Sequence, residues 1–408
     1  MFLRGGLFFL LLLLAPAWCA ESTLLLVSVD GFRWDYLEKY AAETPCLRQL
    51  AAEGVRAERM ISCFPTLTFP NHYSIVTGLR PEHHGLVNNR FFDPALGAAF
   101  NYRDHQCAVD PRWWGGEPIW ITAVKQGRLS ACLFWPGSEA EFAGVRPTYN
   151  RVFDGSLTSA QRVDGLLAWL SLPPDQRPGF CTLYLDAVDH AGHDYGPDAP
   201  ETAAAIREVD AAIDRLLVGL AARGLRNAAN LVITSDHGMV AVDASRTVFL
   251  DDLVDLKTVQ VDFLGTQAGL RPLKDTPAKL AATIRRAHPA HVQVYLRAEV
   301  PERFHYRDNP RIPPVLLFAD EGGEITTRAS QAKRTKPERG DHGYDNQLIS
   351  MGATFIASGP AFRRGTVIPP FENIEVYNLL CAVLQLRPAS NDGNDQLVRA
   401  VLRPPPAP

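Results

Sequence analysis

Short runs of consecutive apolar residues punctuate the chain at Thr23 to Val29, Cys181 to Leu185, Leu231 to Thr234 and Thr354 to Ala357. Each has the length of a strand. Apolar side chains without polar alternation suit strands covered on two faces, as in a parallel sheet between layers of helices. Between the second and third runs, Ile206, Val209, Ile213, Leu216, Leu217 and Leu220 recur at helical spacing, and Gly224 follows. That pattern predicts an amphipathic helix with its stop signal. Alternation of such elements defines an α/β fold with a mostly parallel central sheet and helices on both faces. Residues 245–335 break the pattern with mixed short apolar runs, many prolines and no acidic strand ends. They read as a small inserted subdomain, leaving 21–244 and 336–400 as the α/β core and 401–408 as a Pro-rich tail.

The N-terminus changes the picture of where this core resides. Arg4 precedes an unbroken apolar run from Leu7 to Leu14, and small residues follow at Ala15, Ala17 and Ala20. This is the layout of a signal peptide over residues 1–20, too short to span a bilayer. A retained anchor and lipidation at Cys19 are the alternatives; Trp18 stands where a lipoprotein signal wants a small residue. The expectation is an exported protein, periplasmic or secreted, with no stable membrane span after processing. A formal charge of −4 and no clusters of Lys and Arg argue against a nucleic-acid surface. Six cysteines remain beyond Cys19 with no C-x-x-C spacing, so zinc-finger chemistry is disfavoured and no disulfide pairing is singled out.

Three of the apolar runs lead directly into metal-binding residue types: Val27-Ser-Val-Asp30-Gly, Tyr184-Leu-Asp-Ala-Val-Asp189-His-Ala-Gly-His193, and Ile233-Thr-Ser-Asp236-His237-Gly. Open α/β sheets place ligands at the carboxyl ends of their strands, so the three clusters should converge on one edge. Singly, each has a plain explanation as a turn former, a surface histidine or an i,i+4 pair. Together they suit zinc, with manganese or iron as lesser candidates. A fourth segment, Cys63-Phe-Pro-Thr-Leu-Thr68-Phe-Pro-Asn-His-Tyr-Ser-Ile-Val-Thr-Gly78, places Pro70 in a first helical turn and Gly78 at a helix stop. Thr68 then falls at the N-cap, where the helix dipole favours an anion. It reads equally well as a nucleophile or as an ordinary cap.

With these segments the chain resembles the nucleotide pyrophosphatase/phosphodiesterases, a branch of the alkaline phosphatase superfamily. The resemblance extends through Pro81-Glu-His-His-Gly-Leu-Val-Asn-Asn89, Phe134-Trp-Pro-Gly-Ser-Glu139, Val300-Pro-Glu-Arg-Phe-His-Tyr306 and Gly340-Asp-His342-Gly-Tyr-Asp-Asn346, and so covers nearly all of the mature chain. It implies two zinc ions, one held by Asp189, His193 and His342, the other by Asp30, Asp236, His237 and the Thr68 oxygen. It implies attack by Thr68 on phosphorus, a covalent phospho-threonine ester, and hydrolysis of that ester by water. It further implies that Asn89 and the Thr68 backbone N–H hold a non-bridging phosphate oxygen, and that Phe69 and Tyr184 stack a nucleobase. Leu67 departs from the Lys that many vertebrate relatives carry, which bears on substrate preference.

The resemblance thus implies a small-molecule nucleotide substrate and release of nucleoside 5′-monophosphates; oligomeric state is left open. A lipid phosphodiesterase acting on choline head groups would use the same metals and Thr68. A phosphomonoesterase is disfavoured because no Arg lies beside Thr68 in sequence, and a sulfatase because the nucleophile is Thr and His72 stands where its Arg is expected. A catalytically dead binding protein would lack a ligand, and every ligand type is present.

Overall fold

The computed structural model describes residues 23–404. The segment read as a signal peptide lies outside the described residues. The central sheet comprises β1 (Leu24–Val29), β2 (Val55–Ala57), β3 (Ser130–Leu133), β4 (Tyr149–Asn150), β5 (Phe180–Leu185), β6 (Asn230–Thr234), β7 (Phe355–Ser358) and β8 (Thr366–Ile368), in the order β8-β2-β7-β6-β1-β5-β3-β4. All neighbours pair in parallel except the two contacts of β7, with β6 and β2. The sheet is therefore mostly parallel, as expected, but Thr354 to Ala357 belongs to an antiparallel strand. Unbroken apolarity reports burial on two faces and carries no information about direction.

Successive side chains of β1 divide between two cores, as the two-residue period of a strand requires. Leu24 and Leu26 face one, with Tyr73, Ile75 and Tyr377; Leu25, Val27 and Val29 face the other, with Leu50, Leu166 and Ile213. The helix predicted from Ile206 to Leu220 runs Pro200–Ala222, and Gly224 follows with φ +67°. A smaller antiparallel sheet, in the order 259–263, 267–272, 315–319, 292–296, lies within the stretch 245–335 and carries the helix Pro277–Arg286. Its Phe318, with nearby Phe304, packs on Phe64 at ring separations of 4.8 and 4.3 Å. The smaller sheet thus buttresses the segment that leads to Thr68. At the C-terminus, Val401 ends a helix and is buried, so the first residue of the stretch read as a tail belongs to the packed body.

All six cysteines among the described residues are free, and five are buried. Burial pushes the Cys63, Cys132 and Cys381 thiols up to about 12, where they pack as small apolar groups.

His84 is a second buried titratable group of the core. Its Nδ1 accepts from the Leu86 N–H at 3.1 Å and its Nε2 faces Ser74 Oγ at 3.0 Å. Burial drives its pKa down to about 3. The unfolded chain, with an ordinary imidazole near about 6.5, therefore takes up the proton first. The neutral ring's contribution is complete above the unfolded value and is lost as pH falls toward the folded one, at up to about 1.4 kcal/mol per pH unit. Denaturant titrations of wild type and His84→Asn between pH 7 and 4 should show their stability difference shrinking steadily with acidification. A pH-independent difference would contradict a neutral buried His84.

Candidate metal centre

Strand register brings the site together. β1 and β5 pair from Leu24↔Phe180 to Val29↔Leu185, and β1 and β6 from Leu24↔Asn230 to Ser28↔Thr234. The strands therefore end level, and the next residues are Asp30, Asp186 and Ser235-Asp236. Gly31 turns the chain away from Asp30 with φ +67°, and a Cβ there would meet Asp189 atoms at 3.0–3.2 Å. His342 arrives by a different device. A two-residue antiparallel ladder pairs Val240 with Asp341 and Ala241 with Gly340, just beyond His237. Thr66 then docks the loop: its Oγ1 accepts from the Gly343 N–H at 2.9 Å and its carbonyl from His342 Nδ1 at 2.9 Å.

All the residues expected as ligands converge. Asp189 Oδ1 lies 3.5 Å from His193 Nε2 and 3.6 Å from His342 Nε2. His237 Nε2 lies 3.4 Å from Asp30 Oδ1, 2.9 Å from Asp236 Oδ2 and 3.3 Å from Thr68 Oγ1. The two groups adjoin, since the His237 and His342 rings stack with centroids 3.4 Å apart. Asp189, His237 and His342 also offer atoms within 4.8 Å of one another.

The donor set fits metal ions on three counts. Asp30 Oδ1, Asp189 Oδ1 and Asp236 Oδ2 are buried acceptors without a hydrogen-bond partner, and they are the oxygens that face the imidazoles. Buried orphan acceptors are rare and call for a partner. Secondly, the Nδ1 atoms of His193, His237 and His342 each lie 2.9 Å from a main-chain carbonyl, those of Gly340, Gly238 and Thr66. Donating there leaves each Nε2 with a free lone pair. Thirdly, ligand atoms bound at about 2.0–2.1 Å to a tetrahedral ion lie about 3.3 Å apart, which the observed separations of 2.9–3.6 Å bracket.

Charge points the same way. Burial, then the Asp236 and Asp189 carboxylates, push Asp30 well above the usual carboxylate range. Burial, then the neighbouring His237 and His193, push His342 well below the usual imidazole range. His193 is held up at about 10, because the charges of Asp189 and Glu338 overcome the burial that would lower it. A divalent cation is the charge that would let Asp30 ionise beside the Asp236 and Asp189 carboxylates.

His72 also lies beside Asp30 and Asp236, but it is not equivalent to the histidines expected as ligands. Its Nδ1 meets the Thr68 carbonyl at 2.9 Å and its Nε2 meets Ser28 Oγ at 2.8 Å, so each nitrogen has a hydrogen-bond partner. The ring joins the Thr68 turn to β1. Its place four residues after Thr68, on one helix face, was the sequence signal for this contact.

The helix that carries Thr68 runs Thr68–Thr77. Leu67, extended at φ −113° and ψ 154°, is its N-cap, so Thr68 is the first helical residue rather than the cap. The first intrahelical bond runs from the Asn71 N–H to the Leu67 carbonyl, which fixes Leu67 as the boundary. Thr68 Oγ1 makes no cap bond and points at His237. Gly78 ends the helix at φ +67°, as predicted. Asn89 Oδ1 accepts from the Phe69 N–H at 2.9 Å. A backbone donor requires the carbonyl side of the amide, so Asn89 Nδ2 is left as a donor beside Thr68.

Phe69 and Tyr184 do not sit alike. Phe69 is half-buried among Phe100, Tyr102 and Trp114. The Tyr184 hydroxyl donates to Asp30 Oδ2 at 2.5 Å, which ties it to a carboxylate of the candidate metal centre. The open aromatic face beside it is Phe153, 49 % exposed with its centroid 6.3 Å from Tyr184. Beneath both lies Arg162, 1 % exposed, bonded to the Tyr184 carbonyl and Asp186 Oδ2 at 3.0 Å each and lying 5.7 Å from the Phe153 ring centroid. Sequence reasoning missed Phe153; a lone Phe in the polar run Asn150-Arg-Val-Phe-Asp154 was the available signal. A cleft of about 580 Å³ adjoins the site and is lined by Leu67, Asn89, Arg90, Tyr102, Gln267 and His342, among others.

Level strand ends, unpartnered carboxylates and a helix-borne threonine define an α/β protein of the alkaline phosphatase type with a candidate metal centre. The family model for type I phosphodiesterase/nucleotide pyrophosphatase matches residues 24–345, and the chain belongs to that family. It is 38% identical over 400 residues to human ectonucleotide pyrophosphatase/phosphodiesterase family member 1, covering 96% of this chain and 43% of that protein. It is 38% identical over 401 residues to the venom phosphodiesterase CdcPDE of Crotalus durissus collilineatus, covering 96% and 47%. A pyrophosphatase/phosphodiesterase of Schizosaccharomyces pombe, named as uncharacterized, is 39% identical over 384 residues, covering 91% and 79%. The chain thus spans under half the length of the human and venom relatives. Among solved structures, murine ectonucleotide pyrophosphatase/phosphodiesterase 5, as an inactive threonine-to-alanine variant in complex with AMP, superposes with a TM-score of 0.87 at 34% identity, covering 94% of this chain and all of that one.

Zinc added to metal-free protein should raise its melting temperature, by the equivalent of about 4 kcal/mol at a thousandfold excess over Kd. Calcium, which prefers oxygen ligands, should do far less, and His342→Ala should blunt the zinc response. Equal responses to zinc and calcium would count against ligation by the imidazoles.

Proposed function

We propose that this chain is an exported hydrolase that cleaves phosphodiester and phosphoanhydride bonds of nucleotides and dinucleotides, releasing nucleoside 5′-monophosphates. One observation carries the reading: Thr68 Oγ1 stands 3.3 Å from His237 Nε2, at the edge of carboxylates whose inner oxygens have no hydrogen-bond partner. The family's pyrophosphatase/phosphodiesterase names and the AMP complex of the murine relative support the substrate class. Relatives named as ectoenzymes and venom enzymes support export, to the periplasm or the medium. No helix among the described residues is long and apolar enough to cross a membrane.

Asp189, His193 and His342 would hold one zinc ion and Asp30, Asp236, His237 and Thr68 the other; the pair supplies, when bound, the Lewis acidity that makes a threonine hydroxyl nucleophilic near neutral pH. Thr68 Oγ1 attacks phosphorus, the bond to the leaving oxygen breaks, and a phospho-threonine ester remains. Water then cleaves that ester, freeing the monophosphate and restoring the hydroxyl. Asn89 Nδ2 and the Thr68 backbone N–H donate to a non-bridging oxygen as its charge grows. An uncharged amide in that place suits a diester, which carries less charge than a monoester. His72 fixes the Thr68 turn, and Tyr184 orients Asp30 through its hydroxyl. For the nucleobase, the exposed ring of Phe153 replaces Tyr184 as the partner of Phe69, because Tyr184 is committed to Asp30. Stacking discriminates little among bases.

Thr68→Ala should abolish zinc-dependent cleavage of p-nitrophenyl thymidine phosphate, and wild type should prefer that ester to p-nitrophenyl phosphate and p-nitrophenyl phosphocholine. Preference for the phosphocholine ester would transfer the reading to lipid head groups, and no turnover of any ester would leave a binding protein. In steady-state kinetics, Phe153→Ala should raise KM for the thymidine ester at least about fivefold, since stacking of a base contributes about 1–3 kcal/mol, and leave kcat nearly unchanged. Tyr184→Phe should instead lower kcat. The reverse pattern would restore Tyr184 to the base slot.

A further inference from the structure

The three ligand histidines are held unequally. His237 and His342 are almost wholly buried, and each Nδ1 meets one main-chain carbonyl. His193 lies at the rim, with its side chain 25% exposed. Its Nδ1 has two acceptors, the Gly340 carbonyl at 2.9 Å and the Glu338 carboxylate at 2.7 Å. Glu338 reaches it from a strap of chain that crosses the end of the helix Ala187–Tyr195. The strap is stitched at three further points. Lys336 pairs with Asp194, the Arg339 N–H donates to the His193 carbonyl at 2.9 Å, and the Val242 N–H donates to the Arg339 carbonyl at 3.0 Å.

We propose that Glu338 is a positioning residue for one metal ion only: through His193 it strengthens retention of the ion at Asp189, His193 and His342 and leaves the ion at Asp30, Asp236 and His237 unaffected. This rests on the two-ion reading above. The Gly340 carbonyl alone suffices to set the His193 tautomer, so what Glu338 adds is charge. A hydrogen bond to an ionised acceptor is roughly twice as strong as one between neutral groups. An anionic partner on Nδ1 makes Nε2 a better donor to a cation. The rim is also where an ion exchanges with solvent, so the extra carboxylate acts at the ligand that most needs holding. The two buried histidines have no carboxylate on Nδ1, and this asymmetry predicts two ions of unequal lability.

The test is release of zinc from the fully loaded protein to a graded series of chelator concentrations, with a colorimetric chelator reporting the ions released per chain. Wild type should release two ions per chain. Glu338→Gln keeps an acceptor oxygen but loses the charge, and should release one of the two at about ten- to a hundredfold lower chelator, the second ion following the wild-type curve. Glu338→Ala should do so at least as readily, whereas Lys336→Ala, which loosens the strap and keeps the carboxylate, should follow wild type. Coincident melting curves of the metal-free proteins would show that all are folded alike. Wild-type release by both Glu338 variants would overturn the proposal, as would equal loss of both ions, or a Lys336→Ala curve matching Glu338→Gln. Fewer than two ions in wild type would overturn the two-ion reading and the proposal with it.

Discussion

Three carboxylates and three imidazoles gathered at one end of a sheet, most of them buried, form the constraint on which the rest of the structure depends. Asp30 and Asp236 are almost wholly removed from water, as are His237 and His342. Such a cluster is costly unless each charge has a partner. Protein donors satisfy the outer side of it. Tyr184 donates to Asp30 Oδ2 and the Gly31 N–H to Asp236 Oδ1, while the histidines turn their Nδ1 atoms toward main-chain carbonyls. The inner side keeps its lone pairs. A hydrogen-bond network would have used both sides; a site arranged for cations uses only one.

Much of the surrounding architecture follows from holding those lone pairs in place. Parallel strands in level register deliver Asp30, Asp236 and the helix bearing Asp189 to one edge, each within two residues of a strand end. Thr68 must approach from another direction, and its segment is held independently. Asn71 accepts from the Cys63 N–H and donates to the Pro65 and Leu67 carbonyls, at 2.7–2.9 Å. Phe64 is meanwhile packed against rings of the smaller sheet. That sheet, whose strands carry none of the expected metal ligands, therefore contributes to the site by fixing the turn before the threonine and by lining the adjoining cleft.

What could be read from the residues alone was what repeats locally. Strand-length apolar runs, the helix from Ile206 to Leu220, and the acidic or histidine-bearing strand ends each carry their signal within a few positions. Direction does not: Phe355 to Ser358 is as apolar as its parallel neighbours and runs the other way. His342 carries no local signal either, because a two-residue ladder with Val240 and Ala241 brings it in. The resemblance to a family supplied it, as it supplied Asn89. The pairing of Phe69 with Tyr184 needed the position of a hydroxyl, which sequence does not express. Thr68 was displaced by a single position, from cap to first helical residue, since backbone torsions at Leu67 decide that boundary.

That displacement matters chemically. A threonine at an N-cap is expected to bond its side chain to a backbone N–H two or three residues on, which would satisfy the hydroxyl and turn it along the helix. As the first helical residue, Thr68 has no such obligation. Leu67 contributes the capping carbonyl, Asn89 takes the Phe69 N–H, and His72 takes the Thr68 carbonyl. The Phe69 N–H and the Thr68 carbonyl are each accounted for by another residue, and Oγ1 is left facing His237. The fold thus separates the work of starting a helix from the work proposed for its first side chain, and the hydroxyl is free to face a metal and a phosphorus rather than its own backbone.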